Sequence, residues 1–173
     1  RARRAESIGY DALVIPDHLL EQPAPIPVLA TIAAATDRLR VGAFVLNNDL
    51  RHPAVLAQDL ATVDLLSGGR LIVGIGAGWN RPEDDAIGAA FDPVGTRVDR
   101  LAESVTVLKG LFGDAPFTFE GTHYRITGMD GQPKPIARPG PPFLIGGGGR
   151  RLLTLAAREA QIVGLAPRIS SAT

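Results

Sequence analysis

Short apolar runs separated by longer stretches of helical periodicity constrain this chain more than any other feature. The runs are Ala12-Leu-Val-Ile-Pro16, Leu39-Arg-Val-Gly-Ala-Phe-Val-Leu46, Leu71-Ile-Val-Gly-Ile-Gly76, Phe143-Leu-Ile-Gly146 and Ile162-Val-Gly-Leu-Ala166. A strand covered on both faces needs apolar side chains at successive positions. Runs that close in polar, Gly or Pro residues and alternate with helices are therefore the mark of βα units on a parallel sheet. Pro53 to Leu66 predicts one helix, with Pro53 suited to a first helical position and Val55, Leu56, Leu60, Val63 and Leu66 at three- and four-residue steps. Ser67-Gly-Gly69 stops it. Gly95 to Phe112 predicts a second, with Val98, Leu101, Val105, Leu108 and Phe112 on one stripe, and Val28 to Ala35 predicts a short third after a loop marked by prolines 23, 25 and 27. Phe117 to Ile126 reads as a β-hairpin inside an irregular insertion spanning roughly 114–142.

At 173 residues and 45% hydrophobic content, the chain is long enough for one packed domain over 1–173 and too apolar for general disorder. Eighteen basic residues balance eighteen acidic ones, so charge gives no argument for nucleic acid or a membrane surface as partner. Cysteine is absent, which excludes disulfides, Cys-zinc sites and a cysteine nucleophile and fits a reducing cytoplasm. No apolar run approaches the ~20 residues of a membrane span. The first residues, Arg1-Ala-Arg-Arg-Ala-Glu-Ser-Ile-Gly9, read as a helix already under way, and the chain closes in Arg168-Ile-Ser-Ser-Ala-Thr173 just past an apolar run. The expectation is an incomplete (β/α) barrel lacking its first and last strands.

In such a barrel the residues that follow each strand converge on one face, and that face holds the chemistry. Asp17-His18, Asn47-Asn48, Gly76-Ala-Gly-Trp-Asn80 and Gly146-Gly-Gly-Gly149 are the segments to inspect. Four glycines between a strand and the helix Arg150 to Glu159 let backbone N–H groups approach an anion, and the helix N-terminus with Arg150 or Arg151 adds positive potential. Phosphate suits that arrangement, and a flexible turn is the plainer alternative. The segment lacks the Gly-Lys-Ser/Thr ending of a Walker loop. Gly74-Ile-Gly-Ala-Gly-Trp79 fails as a dinucleotide fingerprint because Trp79 takes the sixth position and no helix start is visible directly after it.

Trp79 either walls a cofactor or substrate pocket or fills the barrel mouth. His18 suits a proton donor near neutral pH, against a structural His beside a helix-capping Asp17. His52 reads as structural, and His123 as exposed or loop-packing. Glu83-Asp-Asp85 reads as acidic residues at a helix start, favoured by the macrodipole.

Taken in order, Ala5-Glu-Ser-Ile-Gly9, Pro16-Asp-His18, Thr36-Asp-Arg-Leu-Arg-Val-Gly42, His52-Pro53, Asp64-Leu-Leu-Ser-Gly-Gly-Arg70, Gly74-Ile-Gly-Ala-Gly-Trp79, Arg97-Val-Asp-Arg-Leu101, Phe119-Glu-Gly-Thr-His-Tyr124 and Ile145-Gly-Gly-Gly-Gly149 resemble the luciferase-like monooxygenase superfamily, in its branch of coenzyme F420-dependent oxidoreductases. The resemblance covers nearly the whole chain. It implies a TIM barrel with F420, or alternatively FMN, across the strand C-terminal ends. It also implies a non-proline cis peptide at Phe44-Val45 under the cofactor ring. Asp17 and His18 would contact the ring, Asn47 would approach its edge, and Gly146, Gly147, Gly148, Gly149 and Arg150 would hold the phosphate. The deazaflavin would pass a hydride between its C5 and a small organic substrate, with His18 and Trp79 as the catalytic positions.

Sugar-phosphate dehydrogenases of this family carry a catalytic Glu where this chain has Trp79, which counts against that substrate class. Glu83 matches a Glu common after this loop, read first as structural, and Arg97 and Arg100 resemble helix arginines that tie the barrel together. At full length the resemblance implies a cytoplasmic homodimer. The competing readings are an FMN-dependent monooxygenase and, in another class, a non-catalytic barrel fragment or cofactor-binding module.

Overall fold

The computed structural model describes residues 1–19 and 21–165. Ala166 and the closing segment from Arg168 onward, both part of the sequence reading, lie outside the described residues. In chain order the elements are α1 (Ala2–Ser7), β1 (Ala12–Ile15), α2 (Pro25–Ala35), β2 (Arg40–Ala43), β3 (Leu46–Asn47), a 3-10 turn (Asn48–Leu50), α3 (Pro53–Ser67), β4 (Leu71–Gly76), α4 (Arg81–Ala86), α5 (Val94–Phe112), β5 (Phe117–Glu120), β6 (Arg125–Met129), β7 (Phe143–Gly147), α6 (Arg150–Glu159) and β8 (Ile162–Leu165).

The main sheet runs β1-β2-β4-β7-β8, with β3 also on β4. Every pairing in it is parallel: Ala12 lies opposite Arg40, Val41 opposite Leu71, Val73 opposite Phe143 and Leu144 opposite Ile162. β2 and β3 are two halves of one strand. Both pair with β4, and they are separated by Phe44 and Val45, whose peptide bond is cis. The apolar run Leu39 to Leu46, expected as one strand, is therefore broken at Phe44 and Val45, near its end. β5 and β6 form the expected antiparallel hairpin apart from this sheet. The arrangement is an incomplete (β/α) barrel, a parallel arc backed by helices.

β4 is buried at every position, as its uninterrupted apolar run requires. Leu29 of α2, Leu56 and Leu60 of α3, and Leu101, Val105 and Leu108 of α5 are buried in one core with Val73, Ile75 and Ile145. α3 begins as its sequence predicts. Pro53 takes the first turn, His52 Nδ1 accepts the Ala54 N–H at 3.2 Å, and Gly68 closes the helix in the left-handed region at φ 66°. α2 starts at Pro25, earlier than expected at Val28, because prolines 25 and 27 sit in a first turn whose N–H groups have no helical partner to lose.

Much of the family-like sequence pattern does mechanical work at the opposite end of the strands from Asp17 and Gly146. Glu6 accepts the N–H groups of Asp37, Arg38 and Leu39 at 3.0, 2.6 and 2.9 Å, which hold its carboxyl below the usual range. Arg70 donates to the carbonyls of Leu39, Ala33 and Thr36 at 2.8, 2.9 and 2.9 Å, tying α2 to the start of β4. Among the described residues no helix is long and apolar enough to cross a membrane.

Candidate functional site

The C-terminal ends of the strands open on one cavity of about 890 Å³. That is room for a cofactor-sized molecule. Asp17 and His18 reach it from the end of β1, Phe44, Val45 and Asn47 from the break between β2 and β3, Trp79 from beyond β4, and Gly146 to Gly149 with Arg150 from the turn between β7 and α6. The catalytic and cofactor-binding positions expected from the resemblance thus lie around one space, whereas Asn48, His52, Arg100 and His123 do not line it.

Asp17 caps no helix. Its carboxylate is buried and held from two directions: Arg51 donates to it at 2.6 and 3.2 Å, and the backbone N–H of Asn47 donates at 2.9 Å. The side chain therefore ties the end of β1 to β3. His18 is half-buried, with Nδ1 3.1 Å from the Glu83 carboxylate. The indole of Trp79 stands edge-on to the His18 ring, centroids 5.5 Å apart and planes at 77°, with most of the indole exposed at the rim.

α4 begins two residues after Trp79, so a short helix follows the glycine-rich turn where the acidic run marked a helix start. Its six residues carry Pro82 near the start and Glu83 and Asp84 in the first turn, where the macrodipole favours acidic groups. The acidic run is at a helix start as expected, yet it does not act as a unit. Glu83 turns to His18, whereas Asp84 is buried, and its carboxyl is pushed above the usual range by that burial and by the neighbouring Asp49 carboxylate.

Arg97 and Arg100 of α5 brace the site from behind. Arg97 donates to the carbonyls of Ala77, at 2.9 Å, and Gly78, and its guanidinium lies 4.1 Å from the centre of the Phe91 ring. Arg100 pairs with Asp49 at 2.8 Å and with Asp92. Burial pulls its pKa down, and the two carboxylates outweigh that and raise it. The start of α5 also lines the cavity, through Val94, Gly95 and Val98, as does Leu152 of α6. No local pattern marks Val94 and Gly95 as wall residues, because what brings them there is the packing of α5 beside α6.

Gly149 is the N-cap of α6, and no side chain caps that helix start. Among the described residues the first-turn N–H groups are thus left without helical or side-chain acceptors at the cavity edge, beside the exposed Arg150. A Cβ on Gly147 would lie 1.9 Å from Leu152 Cδ2, so the turn passes close to the helix it introduces.

The family model for luciferase-like monooxygenases matches residues 1–171. The chain belongs to that family. It is 30% identical over 165 residues to an F420-dependent glucose-6-phosphate dehydrogenase of Microbacterium testaceum, covering 91% of this chain and 48% of the relative. It is 34% identical over 137 residues to an FMNH2-dependent dimethylsulfone monooxygenase of Pseudomonas putida, covering 79% of this chain and 38% of the relative. Among solved structures, the monooxygenase RslO1 of Streptomyces bottropensis superposes with a TM-score of 0.87 at 28% identity, over 98% of this chain and 54% of that one. The chain spans about half the length of the curated relatives it matches. Within the luciferase-like family, then, this chain resembles relatives of both cofactor types.

Proposed function

We propose that the cavity binds coenzyme F420 and that the protein containing this chain transfers a hydride between that deazaflavin and a small organic substrate. Two chemistries on one cavity carry this reading: an uncapped helix start behind four glycines, and a histidine paired with a buried glutamate. The first fits a phosphate, because its N–H groups have no other acceptor among the described residues and Arg150 adds a cation beside them. Gly146 to Gly149 and Arg150 would hold that group, Phe44 and Val45 would back the ring, and Asp17, His18 and Asn47 would lie along it. When bound, F420 supplies a two-electron hydride donor or acceptor.

His18 then has the proton to manage, giving one to a substrate oxygen on reduction or taking one on oxidation. Trp79 and Phe44 present apolar surface that keeps water from the reacting atoms. Trp79 also favours an unsaturated or carbonyl compound over a sugar phosphate, although a glucose-6-phosphate dehydrogenase is among the relatives. The same reading makes the complete protein a cytoplasmic homodimer acting on a small molecule.

FMN-dependent monooxygenation is the second reading, favoured by the 34% identity to the Pseudomonas putida enzyme. Titrating the complete protein with F420 and with FMN, followed by quenching of the tryptophan fluorescence to which Trp79 contributes, separates the two. The expected result is F420 binding, with substrate-dependent bleaching of oxidised F420 or return of its colour from the reduced form. Tight FMN binding with none of F420 refutes the leading reading, and binding of either without turnover favours a cofactor-binding module.

A further inference from the structure

The contact between His18 and Glu83 joins residues 65 apart in the chain, and Glu83 is only 6% exposed. A buried carboxylate is a costly group to place at a cavity wall, and the cost is offset only if its oxygens find donors. The His18 ring supplies the one side-chain donor that Glu83 has among the described residues, with both carboxylate oxygens 3.1 Å from Nδ1 and Oε1 without any other partner. With Glu83 ionised its oxygens only accept, and the contact then places the proton on Nδ1. A neutral imidazole holds one proton, and Nε2 is then left as a bare lone pair. Nε2 has no hydrogen-bond partner among the described residues, and His18 lines the cavity.

We propose that Glu83 is a positioning residue for His18: it fixes the ring in the Nδ1–H form and leaves Nε2 as the only atom that exchanges a proton with the substrate. The assignment rests on the proposed function for its chemistry, though not for its geometry. On oxidation of an alcohol, the carbon would pass its hydride to the oxidised deazaflavin of the proposed function while the hydroxyl proton moves to Nε2; on reduction of a carbonyl, that carbon would take the hydride back from the reduced deazaflavin, and the oxygen that becomes the hydroxyl would take the proton from Nε2. Glu83 neither gains nor loses a proton in either direction, and its charge balances the imidazolium that forms and disappears. Trp79 stands edge-on to the ring on its cavity side. The other charged groups around the ring are already committed. Asp17, next in the chain, is bound by Arg51; Arg97 is bound to backbone carbonyls; and Arg150 stands at the phosphate end.

The test is the tautomer of His18 in the complete protein, read from imidazole 15N shifts and assigned by comparison with His18→Ala. The expected spectrum of the unmodified protein has a pyrrole-type Nδ1 and a pyridine-type Nε2, the reverse of the form a free imidazole prefers in water. Glu83→Gln, whose amide can donate to Nδ1 as well as accept from it, should move the population toward Nε2–H. It should also lower kcat about 10- to 100-fold while KM stays within about 3-fold, the behaviour of a group that acts on proton transfer and not on binding. In the His18→Ala background the same substitution should cost nothing further. A dominant Nε2–H form in the unmodified protein overturns the proposal, as does a full additional loss from Glu83→Gln when His18 is absent. The nitrogen shifts are measured without cofactor. Failure of both F420 and FMN to turn over would therefore refute the proposed function and leave the tautomer assignment to stand or fall by itself.

Discussion

Replacing Asp17 with Ala should destabilise the protein by about 3–4 kcal/mol. The carboxylate has 2% side-chain exposure and accepts from both terminal nitrogens of Arg51, whose own side chain is 22% exposed. Removing one member of a buried, hydrogen-bonded ion pair costs about 3–5 kcal/mol, because the other charge is left behind without compensation. Arg51 retains some access to water, which brings its share toward the lower end of that range. The Asn47 N–H, bound to Asp17 at 2.9 Å, loses its acceptor as well, adding up to about 1 kcal/mol.

Asp17→Asn keeps an acceptor for Asn47 and gives up the charge, so about 1–2 kcal/mol is expected there. Urea unfolding of the complete protein measures these differences. If the pair acts as a unit, Asp17→Ala and Arg51→Ala should fall short of additivity by about 2 kcal/mol in the double variant, and raised salt should change little, since buried pairs are poorly screened. Losses that add within about 0.5 kcal/mol, or a loss below about 1 kcal/mol for Asp17→Ala, would refute the argument.

Asp84→Asn should stabilise the protein at neutral pH. Burial first, and then the Asp49 carboxylate, hold the Asp84 carboxyl above its usual range, so its charged form carries a penalty above the folded pKa, and thermal melts should show the gain fading as the pH falls from the raised value into the ordinary carboxylate range, and absent below it. Glu103→Gln should act in the opposite sense. Burial raises that carboxyl, but the N–H groups of His123, Thr122 and Tyr124 outweigh it and hold the pKa down, so the wild-type advantage should be complete at neutral pH and vanish as the pH drops through the depressed value. Arg150→Ala should raise the cofactor Kd by about 5- to 10-fold and flatten its salt dependence, as read by fluorescence titration at two ionic strengths, with no change in melting temperature because the side chain is exposed.

What the sequence makes legible here follows from how local the cause is. β4 reads directly because burial on both faces demands an apolar side chain at every step, and α5 reads directly because Val98, Leu101, Val105, Leu108 and Phe112 need one common buried face. The glycine turn before α6 is legible for the same reason, with strand, turn and helix start contiguous in the chain. α4 is legible only at its start, through the acidic run Glu83 to Asp85, because its six residues, Arg81 to Ala86, form no apolar stripe that would mark its extent. Asp17 is ambiguous for a different reason: a helix cap would be found within three residues, but Arg51 lies 34 residues away and is brought near only when β1 and β3 are neighbours. The pairing of His18 with Glu83 is hidden in the same way, although each residue is conspicuous alone.

The glycines at the strand ends show how far that separation reaches. In the sequence, Gly76 ends one apolar run and Gly164 interrupts another, and each could be explained by its own turn or its own strand. In the fold they answer to a third segment. A Cβ on Gly164 would come within 2.3 Å of Phe44 Cε2, and one on Gly76 within 2.6 Å of Val45 Cγ2. Phe44 and Val45 break the strand between β2 and β3, so their side chains lean over β4 and β8 instead of standing in register, and those strands leave them room only by having no side chain at these points. The break and the glycines are therefore one feature written in three places of the chain. With backbone as its seat, the Phe44-Val45 pair cannot sink further toward the sheet, and any side chain added beneath it must push it toward the cavity that it lines. The depth of that cavity is thus set in part by the side chains that Gly76 and Gly164 lack.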